Sequence, residues 1–311
     1  MGEIIGHKDI IDNFKKRVDL DEISHAHIIV GENGIGKSNL ANKLARYILG
    51  KSEEKDYIDI INYRCKKSSF GVDEVREIVE EINKKPFEGD KKVIIIYDGN
   101  KLTVQAQNAM LKTIEEPPKG VFIILLCESL ELILDTIKSR CQMYKLSPLT
   151  KDEIRLYINK ISSESFSEEE LNAAISYSEG IPGKAEAFLI DSSLKDLRNT
   201  IVDLLSLLTK GNVKEVLEFE NNILVYKDKK QDILNILSSF IRDIIIYKEI
   251  NKVEGLINGD KFEIIKKIAI EMSYKKLNNI IDKIGEARRS LQSNSNFQLT
   301  IRVMIIGFME V

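Results

Sequence analysis

Cysteine is scarce: Cys65, Cys127 and Cys141 are the only three in 311 residues, and they are widely separated. An odd, scattered set fits neither a disulfide framework nor a four-ligand zinc knot, so reduced structural thiols are expected. Long apolar runs are missing too. The runs at 93–97 and 121–127 fall well short of the roughly 20 residues of a membrane helix. The opening Met1-Gly2-Glu3 lacks the basic and apolar regions of a signal peptide, which leads to the expectation of a cytoplasmic protein with no membrane partner. Charge of one sign is absent as well: 46 Lys and Arg against 49 Asp and Glu leave a net charge of -3. No global field points to nucleic acid, and contact with DNA would have to be local. The basic residues Lys66, Lys67, Lys84, Lys85, Lys91 and Lys92 are interleaved with few aromatics and read as a solvated loop surface. Arg288 and Arg289 read the same way. No internal repeat or low-complexity linker interrupts the chain. With 43% hydrophobic residues, this length supplies two or three cores.

One stretch is rich in chemistry. Gly31-Glu32-Asn33-Gly34-Ile35-Gly36-Lys37-Ser38 fits the phosphate-loop pattern G-x-x-x-x-G-K-[ST]. Residues 27–30 before it read as a buried strand, and 39–49 after it read as a helix with Leu40, Leu44, Ala45 and Ile48 on one face. Glycines let successive backbone N–H groups turn inward around phosphate oxygens. Lys37 would neutralise the β/γ-phosphates of ATP or ADP, and the Ser38 hydroxyl would sit on Mg²⁺. The candidate cofactor-binding residues are therefore Gly31, Asn33, Gly34, Gly36, Lys37 and Ser38. His25 and His27 alternate beside the first strand and are read as packing and solvent exposure rather than metal ligands.

Strand and helix patterns alternate up to about residue 148. Helices are expected over 10–18, 72–82, 103–114 and 130–137, and strands over 57–61, 92–98 and 121–126. This alternation implies a mostly parallel sheet with helices on both faces, and a ligand at the carboxyl ends of the strands. Beyond 148, helical periodicity takes over, with helices near 154–158, 168–177, 184–189, 197–208, 213–224, 233–250, 262–272, 277–291 and 297–309. Ser293-Asn294-Ser295-Asn296 supplies N-cap residues for the last.

Four further segments carry a family resemblance. They are Val72-Asp73-Glu74-Val75-Arg76-Glu77, Lys85-Pro86-Phe87-Glu88-Gly89, the run from Ala106-Gln107-Asn108 to Glu115-Glu116-Pro117-Pro118, and Thr136-Ile137-Lys138-Ser139-Arg140-Cys141-Gln142. In this order and spacing the chain resembles AAA+ ATPases, and among them the delta-prime subunits of the bacterial DNA polymerase III clamp loader. The close likeness covers about residues 4 to 190. The resemblance implies a fold class of α/β plus all-α. An AAA+ P-loop core with a mostly parallel sheet would occupy 1–148, a helical lid 149–192, and a C-terminal helical collar bundle 193–311. It also implies the motor (gamma/tau) and delta subunits as partners, and the sliding clamp and primer-template DNA through the complex.

Departures from the family pattern bear on mechanism. Members that hydrolyse ATP close the third strand with Asp then Glu, for Mg²⁺ and the attacking water. Gapless counting back from Ala106-Gln107-Asn108 puts Tyr97 on the first position and Asp98 on the second. Sliding by one residue puts Asp98 on the metal and Gly99 on the water. A neutral phenol does not replace a carboxylate on a hard cation, so hydrolysis is expected to be impaired in either register. Asp98 remains a catalytic candidate and, with Ser38, a candidate for Mg²⁺. Gly180-Ile181-Pro182-Gly183-Lys184 stands where active members carry a γ-phosphate-sensing arginine, and Lys184 lacks arginine's planar fork. Cys127 and Glu128 stand where threonines are common. Ser139-Arg140-Cys141, by contrast, matches the tripeptide that gives an arginine finger to ATP on a neighbouring subunit. Such a finger can be worth about 10³–10⁵ in rate. Ser139 and Cys141 would shape the turn.

The leading expectation is a stator that donates Arg140 in trans and binds nucleotide weakly or without turnover. The alternatives are an active motor-type ATPase and a P-loop kinase for a small metabolite. The helical C-terminus and the Ser139-Arg140-Cys141 motif argue against the kinase. Many relatives hold zinc through four cysteines between strands one and two, where only Cys65 stands here. Metal analysis of the purified protein is therefore expected to find no stoichiometric zinc.

Overall fold

The computed structural model describes residues 4–65, 69–161, 166–253, 255–293 and 295–310. Met1, Gly2, Glu3, Lys66, Lys67 and Asn294, each named above, lie outside the described residues. Two compact units are formed, one of Met1–Tyr157 with Gly180–Gly183 and one of Ile158–Glu179 with Lys184–Val311.

The first unit alternates strands and helices: α1 (Lys8–Asp19), β1 (Ala26–Val30), α2 (Lys37–Ile48), β2 (Ile60–Tyr63), α3 (Val72–Asn83), β3 (Lys92–Ile96), α4 (Val104–Glu115), β4 (Val121–Cys127), α5 (Asp135–Lys138) and β5 (Gln142–Lys145). α6 (Lys151–Ile161) follows. The five strands are all parallel in the order β2-β3-β4-β1-β5. Every residue of β1, β3 and β4 is buried, as expected of a parallel sheet covered on both faces. On one face Ile29, Ile95 and Ile124 pack with Phe14 of α1 and Leu40 and Leu44 of α2. On the other, Ile94, Ile96 and Ile123 pack with Ile78 of α3, Met110 of α4 and Ile137 of α5.

Several elements depart from their sequence expectation for visible reasons. The second strand begins at Ile60 rather than at 57. Asp59 instead accepts hydrogen bonds from the backbone N–H groups of Phe87 (2.6 Å) and Glu88 (2.8 Å), tying down the turn before β3. Of the expected 130–137 helix only the last three residues are helical, in the single turn Asp135–Lys138. The buried Gln107 side chain takes that backbone over, donating to Leu132 O (2.8 Å) and accepting from Leu134 N–H (2.8 Å). β3 ends at Ile96, and Asp98 turns into the left-handed region at φ 56°. β5 was not foreseen: its burial alternates, and it pairs only with β1 at the sheet edge. Lys92 corrects the reading of a solvated basic surface. It is 2% exposed and ion-pairs with Glu81 at 3.1 Å, because a buried ammonium needs such a partner.

The second unit is helical. It contains α7 (Glu168–Ser178), most of α8 (Pro182–Ile190), α9 (Ser192–Lys210), α10 (Val213–Leu224), α11 (Lys230–Ile250), α12 (Phe262–Glu271), α13 (Tyr274–Gln292) and α14 (Phe297–Gly307). Asn296 caps α14 by accepting from Leu299 N–H. Leu197, Leu205, Leu237, Phe240, Ile280 and Ile301 anchor its core. A polar network runs through this unit. Arg198 donates to Asp260 (2.9 Å) and Asn258 (3.0 Å), and the fully buried Asp243 accepts from Asn258 N–H (2.6 Å). Arg288 donates to Asn235 Oδ1 at 3.0 Å, so it too is less free than a solvated reading implies. Among the described residues no helix is long and apolar enough to cross a membrane.

His27 of β1 is 1% exposed, with its ring near Phe14 (5.3 Å) and Tyr144 (5.8 Å). Burial pushes its pKa down from 6.5 to about 4. The unfolded chain thus takes up a proton near pH 6.5, whereas the folded chain resists until about pH 4. This group's contribution to stability is complete above pH 6.5 and is lost as the pH falls toward 4. His27 alone is expected to make the protein about 2 kcal/mol less stable at pH 5 than at pH 7. Urea unfolding of His27→Phe should show that increment removed, and an unchanged pH dependence would count against the assignment.

Candidate functional site

The glycine-rich loop leaves the carboxyl end of β1, the strand between β4 and β5, and runs into α2. That end is where an open parallel sheet has its ligand-binding crevice. Gly34 (φ 83°) and Gly36 (φ 107°) hold backbone conformations that residues with a side chain rarely adopt. Gly36 caps the N-terminus of α2, whose N–H groups and dipole favour an anion. Gly31 N–H donates to Cys127 O (3.1 Å), fastening the loop to β4. Lys37 Nζ donates to the carbonyls of Gly31 (2.6 Å) and Glu32 (2.9 Å). Burial draws the Lys37 pKa down, while Glu128, Cys127, Asp98 and Glu32 pull it the other way. Asn33 is exposed in the turn of the loop, and Ser38 is half-buried in the first turn of α2.

A contact that sequence reasoning missed braces the loop. Gly183 N–H donates to Gly34 O at 3.0 Å. A Cβ at Gly183 would lie 2.9 Å from Gly34 Cα and 3.1 Å from its oxygen, all backbone atoms. Ile181 packs into the core beneath, beside Ile35 and Leu40. The Gly-Ile-Pro-Gly sequence is therefore also a close-approach motif. Lys184 contacts Glu179 at 3.8 Å.

At the end of β3, Tyr97 is 5% exposed and packs on the α2 side of the sheet. Asn42 Nδ2 donates both to Tyr97 Oη (3.3 Å) and to Ser38 O (2.9 Å), linking the phenol to the start of α2. Arg64, just past β2, lies over the Tyr97 ring with its guanidinium carbon 3.6 Å from the centroid. Asp98 turns to Lys101 (3.5 Å). Gly99 is a packing glycine, since a Cβ there would meet Cys127 Sγ at 2.7 Å. The loop's positive-φ glycines and helix N-terminus thus suit phosphate oxygens. At the end of β3 a phenol stands where a carboxylate would suit a divalent cation, and Asp98 pairs with Lys101 at 3.5 Å. Among the described residues no group of three or more His, Cys, Asp or Glu could hold a metal ion. Cys127 is buried and Cys141 half-buried, with burial pushing both thiols up to about 12.

Arg140 sits in a separate place, on the turn between α5 and β5, with about two-fifths of its side chain exposed. Its Nη1 donates to Thr136 O (2.9 Å) and Ser139 Oγ (3.3 Å), and its Nε pairs with Glu115 Oε1 at 2.6 Å. Ser139 Oγ donates to Thr136 O (3.2 Å) and so shapes the turn. The structure brings the loop residues, Tyr97 and Gly183 together, and leaves Arg140 with Glu115. Neither Arg64 nor Asn42 carried a motif signal. Only the expectation that buried or stacked groups need partners could have singled them out.

The family model described as DNA polymerase III, delta subunit matches residues 6–150, and that described as DNA polymerase III, delta subunit, C terminal matches residues 193–310. The chain belongs to the clamp-loader subunit family of DNA polymerase III. Its fold is accordingly an AAA+ core followed by a helical C-terminal part. The chain is 25% identical to DNA polymerase III subunit delta' of Bacillus subtilis, over 94% of this chain and 93% of that protein. It is 25% identical to subunit tau of the same organism over 98% of this chain, which spans only 60% of the length of tau. A DNA polymerase III gamma subunit-related protein of Thermotoga maritima superposes with a TM-score of 0.54 at 18% identity, over 96% of this chain and 98% of that one, a likeness of fold alone.

Gly183→Ala is expected to cost about 1–3 kcal/mol through overpacking against the loop. Thermal unfolding should show a lowered Tm. Gly89→Ala, with open space at its Cβ, serves as the control that leaves Tm unchanged. Equal behaviour of the two variants would remove the bracing role.

Proposed function

We propose that this chain acts as a delta-prime-type subunit. It is a stator of a clamp-loader assembly that works in the cytoplasm beside the motor (gamma/tau) and delta subunits, and serves the loading of a sliding clamp onto primer-template DNA. Residues 1–148 form the nucleotide-binding core, 149–192 the lid and 193–311 the collar through which subunits associate. Arg140 is donated in trans to ATP held by a neighbour, where it stabilises charge on the transferring phosphoryl group. Gly31, Asn33, Gly34, Gly36, Lys37 and Ser38 cradle the phosphates of ATP or ADP without turnover. Ser38 and Asp98 are the candidates for Mg²⁺ there, without the carboxylate pair that hydrolysis needs.

The observation that carries this reading is Tyr97. A buried phenol, tied to Asn42 and covered by the Arg64 guanidinium, stands at the end of β3, where the gapless register of the family resemblance expects the Mg²⁺ carboxylate; the register shifted by one residue supports the same reading, with Asp98 on the metal and Gly99 leaving no side chain for the water. The motor-type ATPase is the second reading, favoured by the complete phosphate loop and by likeness to tau over nearly the whole chain.

ATP turnover by the isolated chain separates the two. The stator reading expects none above background, whereas turnover abolished by Lys37→Ala would sink it. In a complex reconstituted with ATP-hydrolysing clamp-loader subunits, Arg140→Ala should leave assembly intact and lower the ATPase at the site it serves by about 10³-fold or more. An unchanged rate would remove Arg140 from this role.

A further inference from the structure

The guanidinium of Arg140 is not left loose at the surface. Two of its three nitrogens are held by the protein: Nε by the Glu115 carboxylate at 2.6 Å, and Nη1 by the Thr136 carbonyl at 2.9 Å. Nη2 has no acceptor among the described residues, and the side chain is 39% exposed. A guanidinium carries five N–H donors in one rigid plane, so fixing two nitrogens fixes where the third one points.

Glu115 has little local reason to be where it is. As the last residue of α4 it lies at the negative end of the helix dipole, where a carboxylate is disfavoured. A half-exposed ion pair adds little to stability. Gln107, two turns earlier on the same helix, already joins α4 to the segment leading into α5. Glu115 adds the second tie, from the end of α4 to the arginine itself.

We propose that Glu115 is the positioning residue of Arg140. Together with the Thr136 carbonyl it holds the guanidinium plane so that the Nη2 edge is presented outward, ready to donate to a phosphate oxygen of nucleotide bound to a neighbouring subunit. This inference rests on the reading of Arg140 as a finger acting in trans. A donor fixed beforehand loses no rotamer freedom at the moment of reaction, and a displaced one is costly.

The test uses the reconstituted complex and its steady-state ATPase. Glu115→Ala should lower kcat about 10-fold or more with KM for ATP little changed. Glu115→Gln keeps an acceptor oxygen for Nε and should retain most of the rate. Glu115→Ala combined with Arg140→Ala should be no slower than Arg140→Ala alone. If Arg140→Ala slows the complex and Glu115→Ala does not, the positioning role is overturned and the finger reading stands. An unaffected Arg140→Ala complex overturns both. A Glu115→Gln rate as low as that of Glu115→Ala, or a double variant slower than Arg140→Ala, also overturns the positioning role.

Discussion

Three central strands buried on both faces are the constraint from which the first unit follows. With β1, β3 and β4 sealed between helices, the middle of the sheet has no room for a ligand. The chemistry is pushed to the carboxyl ends of the strands, where loops emerge and backbone groups still need partners. The glycine-rich loop, the Tyr97-Asp98 step and Cys127 all lie at that edge because the parallel strands end there together. Arg140, on the turn into β5, lies instead near where that edge strand begins.

At that edge, backbone approach decides more than side-chain identity. Gly34 and Gly183 meet closely enough for a direct N–H···O bond; a Cβ at Gly183 would fall 2.9 Å from Gly34 Cα, and Gly34 holds a φ of 83°. Tyr97 adds a second level of organisation. Its ring lies under Arg64 and its hydroxyl is bonded to Asn42, so the loop's helix is braced from the sheet.

Much of this was legible beforehand. The periodicity of α9 to α14 placed each helix to within a few residues, because long amphipathic stripes leave little ambiguity. The loop declared itself through spacing alone. The second strand, the short α5 and β5 were less legible. At the first two, side chains distant in sequence take over backbone groups: Asp59 accepts from the N–H groups of Phe87 and Glu88, and Gln107 donates to the Leu132 carbonyl and accepts from the Leu134 N–H. A local pattern does not report such long-range substitutions. Lys92 misled for the same reason, since its partner Glu81 comes from another element.

By itself the sequence determined the alternation of strands and helices up to β4, the run of helices after it, the phosphate-loop pattern, and the positions of Tyr97 and of Arg140 within its tripeptide. These depend on residue type and short spacing, which are properties of the local chain. Only the tertiary structure decided that Gly183 closes on Gly34, that Arg64 covers Tyr97 and that Glu115 grips Arg140. Each of those contacts joins residues between 25 and about 150 positions apart. Whether such groups meet depends on how the helices pack on the sheet, which no short window of sequence contains.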